Sequence, residues 1–170
     1  MSAPVAPGLR IRDAVPGDAA LVLSFIEALA EYEKLRHEGH ATVDEIDRAL
    51  FGPDPVPRVL IAELDGAPVG FALWFRNFST FLARPGIWLE DLFVRPEARG
   101  RGVGKALLAE LARIAVERGY GRVEWWVLDW NAPSIALYES LGARAMDEWT
   151  VFRLTGDAMA RLGASAPGRS

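Results

Sequence analysis

Apolar and polar positions change period block by block along this 170-residue chain. Leu9 and Ile11 alternate with Arg10 and Arg12, the two-residue period of a half-buried strand. After the turn Pro16-Gly17-Asp18, Val22, Phe25, Ile26 and Leu29 recur at helical spacing. They predict an amphipathic helix to about Leu35, with Asp18 as its cap. Thr42-Val43-Asp44-Glu45 has the spacing of a capping box and predicts a second, shorter helix ending near Gly52. Residues 58–64 and 69–75 are strand-like and flank Asp65-Gly66, a pair that predicts a hairpin turn. Residues 76–86 read as a loop and 87–94 as the next strand. A glycine-rich stretch then feeds a helix whose apolar stripe is Val103, Leu107, Leu111 and Ile114.

Gly119-Tyr120-Gly121 ends that helix, and 123–128 predicts another strand. Asn131-Ala132-Pro133-Ser134 opens a short helix through Leu141, and a last strand is expected over 150–154. The pattern predicts a mixed α/β (α+β) fold, with residues 1–8 as a flexible arm and 9–155 as a single domain. Residues 156–170 are expected to form a partly disordered C-terminal extension.

Composition narrows the chemistry. The chain has no cysteine, which removes disulfides, thiolate nucleophiles and thiolate metal ligands. Its two histidines, His37 and His40, form no HExxH motif and read as exposed loop residues, so no metal site is expected. A net charge of -4 offers no bulk attraction to nucleic acid or an acidic membrane and mildly favours cationic partners. The N-terminus has no signal-peptide pattern and no run is long enough for a bilayer span, so a cytoplasmic location is expected, without membrane or nucleic-acid partners.

The stretch RPEARGRGVGKALL, residues 95–108, carries the most specific signal. A Walker loop fails on Arg99, where its first glycine belongs, and on Ala106, where its hydroxyl belongs. A dinucleotide fingerprint fails on Lys105, at its third glycine. What remains is a loop in which Gly100, Gly102 and Gly104 let the backbone wrap a phosphate. Amides near Val103 would face that anion, and Arg99 and Arg101 add positive charge at the rim.

LEDLFVRPEARGRGVGKALL closely resembles the coenzyme A motif of the GNAT superfamily of N-acetyltransferases, with Arg99, Gly100, Arg101, Gly102, Val103 and Gly104 on its pattern. ALAEYEKL at 28–35, WLEDLFV at 88–94 and WNAPSIALYESLGA at 130–143 resemble more particularly the diamine (spermidine/spermine) acetyltransferases and their thialysine-acetylating relatives. The resemblance spans roughly residues 9–155. It implies a single layer of about seven mostly antiparallel strands, splayed at the centre and flanked by about four helices. It also implies acetyl-CoA as acetyl donor, its pyrophosphate on residues 99–105, Lys105 included, and its pantetheine along Phe93 and Val94. Asn131 matches a residue touching the coenzyme arm, with Ser134 beside it, and Tyr138 matches the general acid near the thioester sulfur. Glu90 and Asp91 match acids of the substrate channel, and Tyr32 and Glu33 match an aromatic–acid pair that holds a polyamine. A homodimer is implied as well.

The reaction so implied is acetyl transfer to a primary amine of a small diamine, polyamine or lysine-like amino acid, directly within a ternary complex. An alkylamine of pKa near 10 is neutral in only about one molecule in a thousand at pH 7, so a group must accept its proton. Glu90, working through water, is the expected acceptor, and the Val94 amide the expected oxyanion donor. In a regular strand Glu90 and Asp91 point to opposite faces: either one lines the site while the other braces structure, or a bulge brings both near. For an amino-acid substrate, Arg76 or Arg84 is available to its carboxylate. Trp88, Trp130 and Trp149 are candidate walls for an aliphatic amine, and one of Trp125 and Trp126 is expected to face a cleft or a dimer surface. Two alternatives stand beside this reading: acetylation of a protein or an antibiotic by the same fold, and a non-catalytic coenzyme A sensor.

Overall fold

The computed structural model describes residues 6–35 and 41–168; His37 and His40 lie outside them. The chain divides into two compact units, one through Asp129 and one from Trp130. The first unit holds, in order, β1 (Leu9–Asp13), α1 (Ala19–Tyr32), α2 (Val43–Phe51), β2 (Arg58–Leu64), β3 (Ala67–Ser79), β4 (Arg84–Val94), α3 (Val103–Glu117) and β5 (Val123–Trp125). The sheet order follows the chain, β1-β2-β3-β4-β5. The first three pairings are antiparallel; β4 and β5, joined through α3, are parallel.

Local sequence accounts for much of this. Asp65 and Gly66 both take positive φ (+52° and +82°), the geometry of the two-residue turn their identities predict. Thr42 and Glu45 make the reciprocal capping box: the Glu45 amide donates to Thr42 Oγ1 (3.3 Å) and the Thr42 amide to Glu45 Oε2 (2.8 Å). Asp18 occupies the N-cap of α1 without capping it through its side chain. Its carboxylate instead accepts from the Val15 amide (2.8 Å) and from Arg12 (2.7 Å), which also donates to Glu63 (2.6 Å). A charged partner on β1 out-competes the helix amides for that carboxylate.

α1 and α2 cover one face of the sheet. Val22, Phe25, Leu29 and Leu50 pack on Val59, Ile61, Phe71 and Phe93, with the Phe25 and Phe71 rings stacked at 5.3 Å. Leu60, Ala72, Trp74 and Leu89, on the alternate face, are also buried, and α3 packs there through Val103, Leu107 and Leu111.

Three expectations are corrected. Residues 76–86 are not one long loop: β3 runs to Ser79 and β4 starts at Arg84, so Arg76 and Arg84 are strand residues. The ladder continues through this stretch, Arg76 pairing with Ile87, Asn77 with Gly86 and Phe78 with Pro85. β5 is only three residues, and 150–154 is not a strand, having no ladder partner among the described residues. The sheet therefore has five strands among the described residues rather than about seven. The second unit carries α4 (Ala132–Ser140) and α5 (Gly156–Ala164), the latter within the stretch expected to be a partly disordered extension, so the described α-helices number five.

Candidate active site

The centre of β4 is irregular. Leu73 pairs with Asp91 and Trp74 with Leu89, so Glu90 is an extra residue with no partner on β3. Such a bulge turns the strand and re-aims its side chains. Of the two arrangements left open by sequence, this is the one that brings the carboxylates together. Asp91 shares its face with Leu73 and Phe93, the face covered by α1, and Glu33 stands at the C-cap of α1.

Asp91 is half-buried, and its pKa is pushed up to about 7, first by burial and then by the charges of Glu90 and Glu33. Burial also raises the pKa of Glu33. Asp91 forms no hydrogen bond or ion pair among the described residues, whereas exposed Glu90 accepts from Trp88 Nε1 at 2.8 Å. In this geometry Asp91 stands without a brace and Glu90 is braced by Trp88. Trp88 meets Trp126 edge-on at 5.0 Å, and Trp126 is 61% exposed. Trp88 and Glu90 are two residues apart on a strand, a spacing from which their contact was readable.

Past the bulge no strand pairs with the β5-side edge of β4 among the described residues. Its ladder to β5 ends with Leu89 opposite Trp125. On the other side the Arg95 amide donates to Val69 O (2.8 Å), making that a hydrogen-bonded pair of the antiparallel ladder. Alternation then makes Gly70–Val94 and Ala72–Leu92 the non-bonded pairs, so the N–H and C=O of Leu92 and Val94 turn to the β5 side. An extended chain laid along this edge finds donors and acceptors already aligned.

The glycine loop follows. Gly100 and Gly102 take φ of +73° and +80°, and a Cβ on Gly100 would meet nothing within 4 Å, so its conformation rather than crowding calls for glycine. Gly102 is the N-cap of α3 and supplies no side-chain cap, leaving the amides of Val103, Gly104 and Lys105 at the helix start without a capping side chain. Arg101 is exposed beside them. Arg99, at the start of the loop, donates from Nε to Val94 O (3.0 Å), its guanidinium 4.8 Å from the Tyr32 ring and 5.6 Å from that of Phe93. Its sequence position did not reveal this tie between β4 and α1.

In the second unit Asn131 caps α4, its side chain accepting from the Ser134 amide at 3.4 Å. Asn131, Ser134 and Tyr138 are three and four residues apart and share one stripe of α4. Trp130 and Trp149 also belong to this unit.

A coupled acid set thus stands beside this strand edge, and a glycine turn into an uncapped helix follows it. A model of the acetyltransferase (GNAT) family matches residues 23–143, and the chain belongs to that family. It is an N-acetyltransferase of the acyltransferase class. The chain is 37% identical over 163 residues to the thialysine N-epsilon-acetyltransferase of Bos taurus, covering 89% of this chain and 95% of that protein. It is 43% identical over 123 residues to an L-ornithine N5-acetyltransferase of Arabidopsis thaliana, covering 72% of this chain and 51% of that one. Among solved structures, an integron cassette protein from the mobile metagenome of V. cholerae superposes with a TM-score of 0.77 at 26% identity, over 93% of this chain and 99% of that one.

Proposed function

We propose that the protein transfers the acetyl group of acetyl-CoA to the terminal amine of a lysine-like amino acid or short diamine, and that Asp91 accepts the amine's proton. The observation carrying this reading is the Glu33–Asp91–Glu90 set, in which one carboxylate is half-buried and lifted to about 7, first by that burial and then by the charges of Glu90 and Glu33. Relatives named for acetylating thialysine and ornithine, both amino acids with a side-chain amine, support the same acceptor class.

The donor's diphosphate would be held by the amides of Val103, Gly104 and Lys105 with Arg101 alongside, and its extended arm by the edge groups of Leu92. The donor supplies an activated acetyl group as a thioester. Glu33 and Glu90 attract and orient the incoming ammonium, and Asp91 takes its proton. Moving a proton from a lysine-like amine (pKa about 10.4) to an ordinary aspartate is uphill by about 9 kcal/mol, but to an acid at 7 by only about 4.6 kcal/mol. The Val94 amide, directed to the β5 side, is the donor we assign to the oxyanion. For the proton of the departing sulfur we retain Tyr138 on the strength of the family resemblance.

The test is a panel of primary amines assayed with acetyl-CoA. Lysine analogues, ornithine and short diamines should be acetylated, and inactivity across all of them would overturn the acceptor assignment. Tyr138→Phe should lower kcat by about tenfold to a hundredfold while coenzyme affinity, measured by titration calorimetry, stays within about twofold.

A further inference from the structure

The far end of α3 carries a second concentration of unmatched charge. From Val103 to the C-cap Arg118 the helix rises about 22 Å, so this region is well separated from the glycine loop. A cavity of about 290 Å³ opens there, lined among others by Arg58, Trp74, Arg76, Arg118 and Tyr120. These come from β2, β3 and the segment after α3, so three separate parts of the chain build it.

The guanidinium carbons of Arg58 and Arg118 lie 5.8 Å and 5.9 Å from the Trp74 ring centroid. Arg118, and after it Arg76, stand close enough to the Tyr120 phenol to lower its pKa. No carboxylate lines the cavity, and none of the three arginines forms an ion pair among the described residues. Acids nearby in sequence are engaged elsewhere: Glu117 with Arg113, and Glu124 with Arg122 and Asn77. Trp74 is 2% exposed, and its indole Nε1 has no hydrogen-bond partner. Donors therefore accumulate here without acceptors, and three like charges are held together, an arrangement that is unfavourable unless an anion completes it.

We propose that this cavity is a binding site for a small molecule bearing a phosphate or carboxylate head, separate from the coenzyme and amine sites. Planar guanidinium groups suit bidentate contact with either oxyanion, and Tyr120 adds a neutral donor. The concave shape and the chain's net charge of -4 favour a small anion over a nucleic acid.

Calorimetric titration of the full chain with inorganic phosphate, and separately with citrate, tests this. It is run at low ionic strength with coenzyme A saturating, so that the glycine loop is occupied. Saturable binding of at least one probe is expected, and which one binds identifies the head group. Arg76→Gln and Arg118→Gln should each weaken it by about tenfold or more. Arg113→Gln, on the outer surface of α3, should leave it unchanged. Coenzyme affinity should be the same in all three variants, which separates this result from any failure of the coenzyme site. Should Arg118→Gln not fold, Arg58→Gln takes its place. Absence of saturable binding by either probe at about 10 mM, or equal binding by the wild type and the Arg76 and Arg118 variants, would overturn the proposal.

Discussion

Asp91 owes its character to its burial and two charged neighbours rather than to its own chemistry. Burial between β4 and α1 and the charges of Glu90 and Glu33 all disfavour its ionised form. Folding consequently raises its pKa from 3.8 to about 7, and linkage fixes the sign of the effect on stability. The folded protein holds this proton more tightly than the unfolded chain does. The contribution is fully present below pH 3.8, is lost as pH rises to about 7, and is constant above that. Asp91→Asn should thus be more stable than wild type by about 2–4 kcal/mol at pH 8 and show no such advantage near pH 4, as measured by denaturant unfolding at both pH values. The same substitution should lower kcat by about a hundredfold or more at pH 7.5. A variant both stabilised and disabled is what a functional acid predicts; a bracing residue would give loss of stability instead.

At the level of elements, the loop into α3 combines two left-handed glycines with an uncapped helix start. Gly102→Ala forces a Cβ into φ of +80°, which should cost about 1–2 kcal/mol of stability and weaken coenzyme A binding together. Gly100→Ala meets no neighbouring atom within 4 Å but takes the same left-handed strain at φ of +73°, so its stability loss should also be about 1–2 kcal/mol and its binding loss similar to that of Gly102→Ala. Thermal unfolding and coenzyme titration on the same samples check both. Elements of this kind were legible because their signals are local: a capping box, a DG turn, a helical stripe and a glycine loop each act within a few residues. The bulge at Glu90 was visible only as one of two possibilities, because its position depends on the pairing of β3 with β4. The tie from Arg99 to Val94 and Tyr32 was not legible at all: it joins β4 to α1 across 67 positions between Tyr32 and Arg99.

For the molecule as a whole, fold class and family could be read from sequence, while the strand count could not. Residues 150–154 include the strand-favouring Thr150, Val151 and Phe152, yet a strand requires a neighbour, and local preference does not supply one. The arginine cavity escaped for the same reason, since Arg58, Arg76 and Arg118 converge only through tertiary structure. Global charge carries its own expectation. With a net charge of -4 and an acid set at the acceptor site, kcat/KM for a diamine should fall as salt rises from about 0.01 M to 0.3 M, over which the screening length shrinks from about 30 Å to below 8 Å. A neutral amine analogue should show little change in steady-state assays across the same range.

The pH dependence of kcat/KM for one lysine-like amine, compared among wild type, Glu33→Gln and Asp91→Asn, addresses the coupled carboxylates most directly. The acidic limb should have an apparent pKa near 7 in wild type. It should move to lower pH in Glu33→Gln, which loses a repelling charge, and disappear in Asp91→Asn. An acidic limb unchanged in all three proteins would contradict the account.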